Sequence, residues 1–238
     1  MENLFLVEGK NDLHVVKHIL LQHSLANFQK KTRNGEQLFF QNLPLNIEAT
    51  AEQGNMVEQF GTRLDQGSTL LNAIGLMLDF DDQSDEHANK HDEAVRNEII
   101  RLQKKRHRWK LDENFTILSD TNEGFIAEPA NKDTPRIGVW LMPDNHNRGM
   151  LETFLQRLIP EERSKLLEHA RHSTDKAKGE HAAPFKPVHR EKAVVHTFLA
   201  WMDEPGYPFG TSFQNGSFDA KSALANKFVE WMQKLFRD

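Results

Sequence analysis

Leu4-Phe5-Leu6-Val7-Glu8-Gly9-Lys10-Asn11-Asp12 changes its pattern halfway along, and that change decides the fold. Four apolar residues in a row stop at Glu8-Gly9. Beyond them the apolar positions recur at helical spacing, at Leu13, Val16, Ile19 and Leu20, with Asp12 near the start, where the helix dipole favours an acid. A strand without polar alternation is buried on both faces, and alternation of such strands with helices means a parallel sheet covered on both sides. Ala73–Leu78 (AIGLML) repeats the pattern and stops at Asp79-Phe80-Asp81-Asp82. Ile137–Met142 (IGVWLM) repeats it again before the turn Pro143-Asp144-Asn145. In sheets of this kind ligand chemistry gathers at the carboxyl ends of the strands, where Glu8 and Asp79 stand.

The remaining segments fill in around these three strands. Gln37–Leu43, Phe115–Leu118 and Gly124–Ala127 read as further strands. Residues 51–64 and about 89–106 read as helices, the second one strongly charged. Helical spacing returns over Gly149–Leu158, 160–176, 189–202 and 219–236, while Lys176–Pro187 is poor in hydrophobic residues and reads as a mobile loop. The expected architecture is an α/β fold: a mostly parallel, Rossmann-like sheet flanked by helices, with extra C-terminal helices. A core over 1–160 and a helical extension over 161–238 packed on it are expected, either as two parts or as one domain.

Composition narrows the chemistry. The 238 residues include no cysteine, which removes disulfides, thiolate zinc sites, iron–sulfur clusters and cysteine nucleophiles. No apolar run approaches the ~20 residues needed to span a bilayer, and the first residues lack a basic leader, so a soluble cytoplasmic protein with no membrane partner is expected. The net charge of −5 runs against a general nucleic-acid binder. Yet six of the 35 acids sit in the candidate cluster described next, and the other 29 nearly balance the 30 Lys and Arg.

LFLVEGKND and GLMLDFDDQ, in this order and about 70 residues apart, resemble the two core motifs of the Toprim fold. That fold is shared by topoisomerases, bacterial primases and the overcoming-lysogeny-defect nucleases. Its motifs are a Glu after the first strand, commonly within VEGxxD, and a DxD after the third. PDNHNRGMLETFL, HTFLAWMDEPGYPFGTSF and FVEWMQKLF are similar to blocks of a less characterised Toprim-related group of unknown function, so the resemblance extends over nearly the whole chain. It implies a Mg²⁺- or Mn²⁺-dependent nuclease or phosphodiester hydrolase. Glu8, Asp12, Asp79, Asp81, Asp82 and Glu152 would be ligands or their supports, with Glu8, Asp79 and Asp81 catalytic. Lys192 matches a basic position of the overcoming-lysogeny-defect nucleases. Those nucleases are joined to an ABC-type ATPase; this sequence has no GxxxxGK[ST] loop, so any such ATPase would be a separate chain.

Independently of the resemblance, carboxylates converging at strand ends repel one another unless a cation neutralises them, and an all-oxygen donor set selects Mg²⁺ or Mn²⁺. Such ions bind phosphodiesters, activate water and stabilise the leaving oxygen. Lys10, inside the first motif, and the run Arg101, Lys104, Lys105, Arg106, Arg108 and Lys110 are candidate contacts to the phosphates of DNA or RNA. Each assignment has a plainer alternative. Asp12 also reads as a first-turn acid, Asp79–Asp85 as a solvated turn, Glu152, Lys10 and Lys192 as surface residues, and the basic run as helix C-terminal placement. Asp144 reads as a turn former, His14 and His18 as surface residues, and Trp140, Trp201 and Trp231 as core or interface residues.

Topoisomerase chemistry needs a nucleophilic tyrosine, and the sole Tyr207 stands in a Gly/Pro turn; a primase needs extensions that this length does not hold. Asp79-x-Asp81 also resembles the nucleophile motif of haloacid-dehalogenase phosphatases, but Gln83 stands where those carry Thr or Val. A third alternative keeps the fold in a non-catalytic regulatory or sensor subunit.

Overall fold

The computed structural model describes residues 2–50, 56–67, 71–80, 115–119, 123–129 and 135–237. Its centre is β1 (Glu2–Val7), in which Asn3 to Val7 are all buried. β1 lies between β4 (Leu43–Ala49) and β5 (Leu71–Asp79), parallel to both, and β5 pairs in parallel with β8 (Arg136–Met142). The four strands read as buried or found beside them thus form a parallel centre, and the α/β class holds.

The sheet is longer than that centre and mixed in direction. Its eight strands run in the order β2-β3-β4-β1-β5-β8-β7-β6, where β2 is Ala26–Lys31, β3 Gly35–Phe40, β6 Phe115–Ser119 and β7 Phe125–Pro129. Both flanks are antiparallel: β2, β3 and β4 form a meander on one side, and β6, β7 and β8 another. The expected strand over Gln37–Leu43 is therefore two strands, β3 and the start of β4. They are separated by Gln41 and Asn42, which turn the chain in the left-handed region at φ 48° and 67°.

Alternation along β1 sorts its side chains between two layers. Leu4 and Leu6 join a smaller cluster with Met56 and Phe60 of α2 (Met56–Gly67). Phe5 and Val7 face the main core, which gathers α1 (Lys10–Gln22), α3 (Leu151–Arg157), α4 (Ser164–Glu180), α5 (Arg190–Leu199), α6 (Phe209–Gln214) and α7 (Ala223–Leu235). Helix α4 corrects the expected loop: Lys176–Glu180 are helical, because Lys, Ala and Glu are good helix formers even without an apolar stripe. The turn-rich stretch Glu204–Ser217 holds α6. The charged helix expected over about 89–106 lies outside the described residues.

The C-terminal helix α7 sits close on the centre of the sheet. Gly75 and Gly138 are partners across β5 and β8. A Cβ on Gly138 would stand 2.5 Å from Leu235 Cδ2, and one on Gly75 2.6 Å from Phe5 Cδ2, so the paired glycines make room for that layer. Trp231 packs at 5.9 Å from Phe5 and 5.5 Å from Trp140, and its indole N–H donates to the Phe125 carbonyl at 3.3 Å. Buried Arg136 donates to the Leu235 carbonyl at the end of the helix (2.8 Å) and pairs with Glu128 at 2.9 Å.

Trp231 is 1% exposed, so Trp231→Ala leaves a cavity against β1 and β8. The expected cost is about 3–5 kcal/mol, read as a lowered urea midpoint of unfolding.

Candidate functional site

The carboxyl ends of β1 and β5 meet side by side, and the chemistry-bearing acids stand there. Asp79, the last residue of β5, donates its backbone N–H to Glu8 Oε1 at 3.1 Å. The Asp79 carboxylate reaches onward: its Oδ1 accepts the N–H of Leu151, the first residue of α3, at 3.0 Å. The next residue binds the same two segments, because Gly149 donates to the Phe80 carbonyl at 2.8 Å. The two motifs read from the sequence are therefore joined through backbone and carboxylate, and the third block is tied to the second.

Two further acids lie in the first turns of the adjacent helices. Asp12, nine-tenths buried, accepts the Gly9 N–H at 3.1 Å and so caps α1 from its third position. Burial first, then the charges of Glu8 and Glu152, push its carboxyl up to about 7, against opposition from the backbone N–H groups that it accepts. Glu152, 4% exposed in the first turn of α3, has Lys192 Nζ of α5 at 3.6 Å. Glu8, Asp12, Asp79, Glu152 and Lys192 thus occupy one end of the sheet. Lys10 is exposed at the start of α1. Asp81, Asp82, Arg101, Lys104, Lys105, Arg106, Arg108 and Lys110 lie outside the described residues.

The loop between β8 and α3 shows how this end is held. Asn145, buried and left-handed at φ 64°, exchanges hydrogen bonds with Leu141: its Oδ1 accepts the Leu141 N–H, and its own N–H reaches the Leu141 carbonyl, both at 2.7 Å. Asp144 accepts the N–H groups of His146 (3.1 Å) and Asn147 (2.7 Å), and its Oδ2 pairs with Arg157 at 2.5 Å. Burial raises the Asp144 carboxyl, but the donors from Asn147 and Arg157 outweigh it and hold it at about 2. Asp144 is a turn former, as read. The structural part of Asn145 has no sequence signal beyond Asp-Asn after a strand.

The reading of His14 and His18 as surface residues changes. His14 and His18 are half-buried on α1 against α6, where a Cβ on Gly210 would come within 2.6 Å of the His18 ring. Burial depresses the proton affinity of both rings, followed by the charge of Lys17; Lys31 and Lys10 add to the effect on His14. Of the two alternatives for Trp201, core or interface, the core one falls away: it is 42% exposed and stacks on His169 at 5.1 Å.

An all-carboxylate cluster beside a lysine can attract a hard cation and, through Asp12, hold a proton near neutral pH. Among the described residues, however, no three acidic or imidazole side chains are grouped so as to hold one metal ion. Among them, too, no helix is long and apolar enough to cross a membrane.

The structure thus defines an α/β protein with acids gathered at the carboxyl ends of its central parallel strands. Residues 2–237 match the family described as a protein of unknown function (DUF3226), and the chain belongs to that family. Its fold is similar to the crystal structure of a hypothetical protein from Pyrococcus horikoshii OT3, with a TM-score of 0.56 over 99% of this chain and 95% of that one. The two are 14% identical, so the likeness speaks for the fold. No curated protein matches.

The raised carboxyl of Asp12 has a defined consequence for stability. Its pKa is about 7 in the folded chain and 3.8 as an ordinary Asp, so between those values the folded state binds more protons than the unfolded one. Stability therefore falls as pH rises from about 4 to about 7 and levels off above. Asp12→Asn should flatten this slope, read from urea midpoints at pH 4.5 and 7.5.

Proposed function

We propose that this chain is a Toprim-type, Mg²⁺- or Mn²⁺-dependent phosphodiester hydrolase acting on nucleic acid. One observation carries the reading: Glu8 and Asp79 stand at the ends of adjacent parallel strands and are coupled directly by the Asp79 N–H to Glu8 Oε1 bond. Buried Asp12 and Glu152 surround them, with Asp12 raised in part by Glu8 and Glu152. So much negative charge in one place is relieved by a divalent cation.

The donor chemistry fits such an ion, and the described residues supply part of a ligand set. Glu8 and Asp79 would hold it, completed by Asp81 and Asp82 from the DxD segment, with Glu152 supporting. When bound, the ion would supply Lewis-acid activation of the phosphate and a more acidic water. The chain's own groups do the rest. Lys192, anchored toward Glu152, offers a positive charge over the oxygen that gains charge. Asp12, titrating near neutrality, holds or releases a proton beside Glu8. The backbone bonds from Asp79 and Leu151 fix the carboxylates before substrate arrives. A separate ABC-type ATPase chain is the partner that this reading expects.

A second reading, a non-catalytic regulatory or sensor subunit, is favoured by one fact. The Glu8 and Asp79 carboxylates both accept backbone N–H bonds, so part of their acceptor capacity is committed to holding the strand ends together.

Titration calorimetry with Mn²⁺ and cleavage of labelled DNA and RNA separate the two. Hydrolysis is expected to need Mg²⁺ or Mn²⁺ and to fall roughly 10²–10³-fold in Glu8→Gln and Asp79→Asn, in line with the loss of one charge-stabilising group. Absence of both Mn²⁺ binding and cleavage, with or without an ATPase, would leave the regulatory reading; turnover of small phosphomonoesters alone would point to a phosphatase.

A further inference from the structure

The sheet brings a second charged feature to the same end as the carboxylates. Because β4 runs parallel to β1, its end at Ala49 lies beside Glu8: Thr50 donates its N–H to the Val7 carbonyl at 3.0 Å and its hydroxyl to the Glu8 carbonyl at 3.3 Å. β3 is antiparallel to β4 and β2 antiparallel to β3, so the β2–β3 hairpin turn must also fall at that end. The bond from the Ala49 N–H to the Asn34 carbonyl, 3.0 Å, places it there.

The hairpin is basic in an acidic protein. Residues 9–35 contain Lys10, Lys17, Lys30, Lys31 and Arg33 but only one acid, Asp12, which is buried. The next acid, Glu36, is buried and paired with Lys17 at 2.7 Å, so it does not neutralise the rest. Lys10, Lys30, Lys31 and Arg33 are all exposed. Lys31 is the register partner of Glu36, which puts it on the α1 face with Lys17, and the charges of Lys10 and Lys31 both act on His14. Phe28 is 45% exposed beside Lys17, whose Nζ stands 5.2 Å from the ring centre. β2 is the edge of the sheet, so nothing among the described strands lies outside it.

Exposed cations interleaved with an exposed ring make the surface that tracks a phosphate backbone and stacks a base. We propose that the β2–β3 hairpin, through Lys30, Lys31 and Arg33 with Lys10 leading to the carboxylates, is the docking surface for a nucleic-acid strand, and that Phe28 stacks on one of its bases. The proposal rests on the nucleic-acid reading above but not on cleavage. Edge-strand lysines also discourage strand-to-strand association. That role needs neither Arg33 at the turn nor Lys10 on the helix, and it leaves the exposed Phe28 unexplained.

The test is fluorescence anisotropy of the full chain with labelled single-stranded DNA, single-stranded RNA and duplex DNA, in EDTA so that nothing is cut. The unaltered protein is expected to bind, with affinity falling steeply as salt rises. K30E/K31E/R33E should weaken binding at least tenfold and lower the salt slope by about 2, as the loss of three single-strand phosphate contacts predicts. Phe28→Ala should weaken single-strand binding more than duplex binding. The altered residues are exposed, so the variants should keep the circular dichroism spectrum and urea midpoint of the parent.

Glu8→Gln and Asp79→Asn should retain binding. Binding without Mn²⁺ uptake or hydrolysis would sustain the hairpin and sink the catalytic reading. Cleavage by a K30E/K31E/R33E variant with unchanged affinity would do the reverse. Absence of oligonucleotide binding, or preference for phosphatidylserine vesicles over oligonucleotides, would overturn the hairpin assignment.

Discussion

The structure depends on one strand having no solvent face. Asn3 to Val7 are buried, with Phe5 and Val7 turned to one layer and Leu4 and Leu6 to the other. A strand of this kind needs neighbours on both edges and cover on both faces, because each lost CH₂ burial is worth roughly 0.8 kcal/mol and each unpaired buried N–H or C=O costs more. Parallel β4 and β5 satisfy its edges, α2 covers one face, and α1 and α7 cover the other. Once β1 is central, its carboxyl end must open into a crevice between helix starts. Glu8 follows the end of β1 directly and Asp79 closes β5, so both acids stand at that end.

Legibility in the sequence followed burial. β1, β5 and β8 are continuous apolar runs, so their existence and the parallel character of the centre follow from that pattern, whereas their order does not. β2 is invisible to the same logic: Ala26–Lys31 carries two lysines and a single buried residue, so as an edge strand it resembles a polar loop. The break at Gln41-Asn42 depends on left-handed backbone that neither residue announces as glycine would. Lys176–Glu180 misleads in the opposite direction, since a solvated helical end has no apolar stripe to reveal it.

Within the candidate site, residue types and spacing point to Glu8 and Asp79, because a carboxylate after a buried strand is chemically conspicuous, while Glu152 is singled out only by the resemblance of its segment to the Toprim-related group. What holds them is not legible. The Asp79 N–H to Glu8 bond, the Leu151 N–H on Asp79 and the Asn145 clamp on Leu141 are made largely by backbone groups, which every sequence possesses. The raised proton affinity of Asp12 is likewise a property of packing: a first-turn acid acquires it when the fold buries it and then brings Glu8 and Glu152 around it.

The packing of α7 on β1 also sets an order of events in time. The rings that cover Phe5, those of Phe228, Trp231 and Phe236, lie more than 220 residues further along the chain. During synthesis β1 therefore leaves the ribosome long before α7 exists, and closing that contact joins segments more than 220 residues apart. Until then its aromatic face is open to other nascent chains. The core should consequently close only once α7 has emerged, which makes folding sensitive to chaperone supply and to translation rate in ways that a chain with local contacts would escape.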